Sequence, residues 1–136
     1  MHIFLQRADG ELRQLGHVDV DEALELFRQQ DWESEMSTED RLISDGRSWF
    51  STHMEWVHDG GSSLTISPSD RGSMIIYRSG RKYRLLGVIP TPAHEVFAVR
   101  DVPDDALKGI LDCFYRADRG MEKLLRKSGL STQIFG

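Results

Sequence analysis

The chain has 136 residues, with 22 Asp and Glu against 17 Lys and Arg and a formal net charge of -5 at pH 7. That length suits one domain with its own core, and the expected organisation is a single α+β domain over residues 1–136. The acidic balance excludes general affinity for phosphate backbones, which needs clustered cations to release counterions, so no direct binding of nucleic acid is expected.

A single cysteine, Cys113, rules out an internal disulfide, and its Leu and Phe neighbours mark it as a small buried hydrophobe in a reducing compartment. The start, Met1 to Arg7, turns polar too soon for a signal peptide. No run approaches the roughly 18 apolar residues that cross a bilayer. These features predict a cytoplasmic protein without membrane contact.

In chain order, Ile3 to Gln6 predicts a strand, Ala8-Asp9-Gly10-Glu11 a turn, and Leu12 to Val18 the returning arm of a hairpin. Asp19 stands three residues before Glu22, and Val20, Ala23, Leu24 and Phe27 recur at helical spacing, predicting a helix from Val20 to Gln30. Asp31 to Arg47 is acidic, rich in Ser and Thr and poor in apolar residues. It reads as a surface loop with a short helical turn near Thr38 to Leu42, and long ordered loops are often functional.

Ser48 to His58 reads as a strand ended by Asp59-Gly60-Gly61, with Leu64 to Ile66 as the returning arm. Pro68 to Gly72 predicts a turn, Met74 to Arg78 a strand, Ser79 to Lys82 another turn and Tyr83 to Ile89 another strand. Pro90-Thr91-Pro92 is expected to break pairing, which Glu95 to Arg100 resumes. Leu107, Ile110, Leu111, Phe114, Ala117, Met121, Leu124 and Leu125 step by three and four along one long C-terminal helix, which Gly120 can interrupt. The predicted fold is thus an antiparallel β-meander packed against one helix from the N-terminal half and a long C-terminal helix.

Chemistry has few places to sit. His53, Glu55 and His58 look like metal ligands, but the histidines are five apart where a metalloprotease helix needs four, and on a strand His58 opposes the other two. His53-Met54-Glu55 also matches the opening of a zinc deaminase site, which further requires two thiolates. Gly60-Gly61-Ser62-Ser63 lacks the lysine and helix start of a phosphate loop, and there is no Gly-x-Ser-x-Gly elbow. The cationic run Arg78 to Arg84, interleaved with Tyr77 and Tyr83, could stack on single strands but reads as a charged turn. No cofactor, metal site or catalytic residue is therefore expected.

Charge is unevenly spread. Asp19 to Asp45 holds ten acids against Arg28 and Arg41, whereas Arg71, Arg78, Arg81, Lys82 and Arg84 stand without an acid among them. Such segregation is either an ordinary solvated surface or a patch that steers a partner of opposite sign. Under the second reading the contact residues are Asp31, Trp32, Glu33, Glu35, Glu39, Asp40 and Asp45, with tryptophan among the acids as an anchor. Core packing is the commoner fate for Trp49, Phe50 and Trp56, which also cluster here.

Several stretches together resemble the small cytoplasmic immunity proteins of bacterial polymorphic toxin systems, in the group that includes partners of nucleic-acid deaminase toxins. They are the opening strand pair, the helix Val20-Asp21-Glu22-Ala23-Leu24-Glu25-Leu26-Phe27, Leu64-Thr65-Ile66 followed by Met74-Ile75-Ile76-Tyr77, and Ala106 to Arg116 with Cys113-Phe114-Tyr115. The likeness covers about two thirds of the chain. The acidic segment Asp31 to Asp45 and the extension Met121 to Gly136 depart from the group, so no family binding residue carries across. The resemblance implies a protein without enzymatic activity, monomeric when unbound, that neutralises a cognate intracellular toxin with a basic surface. An acidic secretion chaperone for an effector, which would dimerise, and a small metal-dependent enzyme using His53, Glu55 or His58 stay open as alternatives.

Overall fold

The computed structural model describes the backbone of residues 1–86, 88–117 and 119–135, and side chains except at 82–85, 90–94 and 130–135. Among the described residues the architecture is α+β: a seven-stranded antiparallel sheet with four helices. In chain order the elements are β1 (His2–Gln6), β2 (Leu12–Gln14), α1 (Val20–Gln29), α2 (Trp32–Ser44), β3 (His53–Val57), β4 (Ser63–Ser69), β5 (Gly72–Leu85), β6 (Ile89–Val102), α3 (Asp104–Tyr115), α4 (Met121–Ser128) and β7 (Leu130–Phe135). The strands lie in the order β2-β1-β3-β4-β5-β6-β7, so α1 and α2 fill the one connection, from β2 to β3, that skips a neighbour.

Alternation along the strands, combined with their register, builds the core. Ile3, Trp56, Leu64, Tyr77 and Phe97 are successive cross-strand partners, and Leu5, Met54, Ile66, Ile75 and Val99 form a second such row. A one-residue slip of any strand would turn its apolar set outward, so these two rows fix the register. Ala23, Leu24 and Phe27 of α1, five residues of α3 from Leu107 to Phe114, and Met121 and Leu125 of α4 join the same cluster. Cys113 and Trp56 are both buried there. The Trp56 indole N–H has no hydrogen-bond acceptor among the described residues. Burial raises the pKa of the Tyr115 phenol, with Trp56 opposing the rise, and the Tyr115 hydroxyl donates to Val18 O at 3.0 Å.

Several expectations hold. The first helix begins at Val20, with the Asp19 carboxylate accepting from the Glu22 N–H at 2.8 Å. The paired strands on either side of Asp59-Gly60-Gly61 also form. The second arm of the first hairpin is shorter than expected, ending at Gln14 and not Val18.

The expected loop over Asp31 to Arg47 is instead the helix α2. Asp31 caps it by accepting from the Ser34 N–H at 3.0 Å, Glu33 and Glu35 occupy the positive first turn, and Arg41 sits in the last. Its inward positions are few, with Leu42 and Glu35 buried, so no apolar stripe announced it.

The two strands expected on either side of Ser79 to Lys82 are one. Gly80 adopts φ +76 and the register slips between Arg78 and Lys82, a bulge that bends β5 without ending it. Likewise β6 runs through Pro90 and Pro92, and its ladder shifts register where the prolines cannot donate. The side chains of Lys82, Tyr83 and Arg84, part of the cationic run, lie outside the described residues. The long C-terminal helix is two, because Ala117 takes the left-handed conformation (φ 51) and its N–H closes back on Phe114 O. The tail then forms β7, which pairs with β6 from Arg100–Leu130 to Glu95–Phe135.

Gly72 begins β5 at φ +121, and a Cβ there would stand 2.4 Å from Val102 O. Gly72→Ala therefore meets both a conformation closed to L side chains and a backbone clash. It should cost about 2–4 kcal/mol in urea unfolding. A loss below about 0.5 kcal/mol, the range of ordinary surface substitutions, would show that the turn relaxes freely.

Candidate partner-binding surface

The seven acidic-segment residues predicted to meet a partner divide into distinct groups. Glu35 does not belong to the surface: it is 5% exposed, accepts from Arg7 Nε at 2.8 Å through Oε1 and from the Ala8 N–H at 3.1 Å through Oε2. Arg7 is held protonated still more firmly than an ordinary arginine, mainly through its bond and attraction to Glu35 and then its bond to Glu11. Glu35 is thus the tether that fastens α2 to the end of β1, a role no charge count could distinguish from its neighbours. Its removal from the contact list is a correction, and the reason is that the chain after β1 needs an acceptor for a buried N–H.

Asp31 is exposed but spends one oxygen as the cap of α2. Trp32 is half-buried, with its ring 5.0 Å from Phe27 and its indole N–H donating to Phe27 O at 2.7 Å. It braces α2 against α1.

Glu33, Asp40 and Asp45 are exposed and Glu39 is partly so. None of these four makes an ion pair among the described residues. Glu39 and Asp40 line a shallow groove of about 340 Å³ with Asp70 from the β4–β5 turn, floored by Met36, Thr52 and Pro68. Three carboxylates thus face one depression whose lining contains no cation. The nearest arginines in sequence, Arg41, Arg47 and Arg71, are all exposed.

Three large apolar side chains in the last turn of α2 and the segment after it are exposed: Ile43, Trp49 and Phe50 by 48%, 45% and 49%. Phe50 is held in place, since its N–H donates to Ala8 O at 3.1 Å and its ring lies against Gly10, where a Cβ would approach Cε2 to 2.9 Å. Half-exposed aromatics that follow a helix carrying carboxylates without ion pairs have the composition of an interface anchor with a polar rim. Core packing is the commoner fate for Trp49 and Phe50 in a strand expected to start at Ser48. The strand begins only at His53, so that expectation does not apply to them.

The histidine stretch comes apart. His53 Nδ1 bonds back to Ser51 O at 2.8 Å, while the His58 ring packs 4.4 Å from Phe114 and its Nε2 reaches Phe114 O. Among the described residues no three His, Cys, Asp or Glu side chains gather into a metal-holding group. Among the same residues no helix is long and apolar enough to cross a membrane. No family model, curated protein or solved structure matches the chain.

Proposed function

We propose that this protein is an immunity-type inhibitor that binds a cognate intracellular toxin and covers its basic active-site cleft. The observation that carries the reading is the make-up of α2 and the chain that follows it: Glu33, Glu39, Asp40 and Asp45 make no ion pair among the described residues, and Ile43, Trp49 and Phe50 are half-exposed. A toxin acting on nucleic acid presents cations to phosphate. Glu33, Glu39, Asp40 and Asp45 offer those cations an alternative partner, raising the association rate, while the aromatic pair slows release. The protein acts by occupancy, as a cytoplasmic protein that is monomeric when free, and needs no cofactor.

The resemblance to immunity proteins of polymorphic toxin systems supports this reading over that of a secretion chaperone. The test is capture of the partner from the organism that encodes the chain, followed by co-expression. A captured protein with a basic cleft, whose toxicity co-expression abolishes, is the expected result. Capture by a dimer of an unfolded effector with no toxicity to suppress would replace the inhibitor by a chaperone.

A further inference from the structure

A second concavity lies between the β3–β4 loop, β5 and the α3–α4 junction, with a cavity volume of about 160 Å³. At roughly 30 Å³ per water it has room for about five waters, or for a small organic acid or a phosphate. Its apolar wall comes from Phe114 and Met121, and Tyr77 rests edge-on against the Phe114 ring, with centroids 6.3 Å apart. His58 contributes little hydrogen-bonding capacity on one side, because its Nε2 is engaged by Phe114 O.

The remaining polar groups are mostly donors. Arg81 from β5 and Arg119 from the α3–α4 junction line the cavity, both are exposed, and neither makes an ion pair among the described residues. Of the two lining carboxylates, Glu122 pairs with Arg126 at 3.1 Å in a contact open to solvent, and Glu95 makes no ion pair among the described residues. Tyr77 is lifted above the ordinary tyrosine value, first by burial, with Arg81 pulling the other way, so its hydroxyl remains a protonated donor at neutral pH. The Ser62 hydroxyl completes the set. Counting Arg126, three guanidinium groups stand against two carboxylates here, in a chain of net charge -5, and planar guanidinium forks are suited to a planar or tetrahedral oxyanion.

We infer that this cavity binds a small molecule through its carboxylate or phosphate group, with Arg81 and Arg119 as the charged contacts and Tyr77 and Ser62 as hydroxyl donors. The site is independent of the α2 surface and of the inhibitor reading.

The experiment is calorimetric titration of the full chain with inorganic phosphate and, separately, with propionate, against chloride at matched ionic strength, with melting temperature as a second readout. One of the two anions should give a saturable one-to-one heat and raise the melting temperature. Phosphate alone assigns a phosphate-bearing ligand, and propionate alone a carboxylate. Arg81→Ala combined with Arg119→Ala should weaken that binding about ten- to a hundredfold. Both side chains are exposed, so the double variant should melt in chloride where the parent does. The inference is overturned if neither anion gives a saturable heat, or if the double variant responds to them as the parent does.

Discussion

Glu35→Ala should lower stability by about 2–3 kcal/mol and the melting temperature by roughly 6–12 °C. The substitution removes two bonds, and the two do not cost the same. Arg7 is about one third exposed, so its guanidinium recovers water and keeps its second carboxylate partner, Glu11, at 3.0 Å. That limits the loss to less than the penalty for breaking a fully buried ion pair. The Ala8 N–H has no such recourse: Ala8 is fully buried, and without Glu35 its amide points at no acceptor. Glu35→Gln, which keeps one carbonyl oxygen for that amide, should recover about half of the loss. Equilibrium unfolding in urea with a constant slope decides the matter. If Glu35→Ala unfolds at the parent's midpoint, α2 is not tethered in this way.

Reversal of the exposed acids predicts the opposite pattern, a large change in binding with almost none in folding. Lysine at positions 33, 39, 40 and 45 should weaken partner binding by about a hundredfold or more, mostly through a slower association rate that loses its dependence on salt. These four side chains make no ion pair among the described residues, so the melting temperature should stay within about 2 °C. Trp49→Ala should act on the other rate, speeding release about thirtyfold with little change in association. Glu35 is left out of the reversal because changing it would mix unfolding with binding. An unaltered affinity in the fourfold variant would place the interface elsewhere and withdraw the proposed role of α2.

What could be read from the residues was whatever obeyed a period or a cap. The helix α1 was legible because a capping acid precedes a regular apolar stripe, and β3 and β4 because alternation runs into a glycine pair. The helix α2 was not, since its inward positions include a glutamate whose partners lie 27 and 28 residues away, and burial of a charge leaves no hydrophobic signature. The cap was present in the sequence all the same: Asp31 stands three residues before Ser34. A glycine between basic residues reads as a turn, whereas Gly80 serves as a bulge whose ladder resumes on the far side. For the candidate surface, the acids could be enumerated but not sorted, because only the fold separates a cap, a tether and a solvent-facing carboxylate.

The outermost positions of the sheet belong to strands of unequal length, β2 with three residues and β7 with six. A row of three offers an incoming peptide too few main-chain bonds to offset the cost of ordering it, and both Arg13 and Gln14 there are exposed and polar. Any lateral growth of the sheet, whether by recruiting a ligand strand or by stacking molecules side by side, is therefore confined to the flank made by β7. Two molecules joined there would close as a β7-to-β7 pair, with no long edge left for a third.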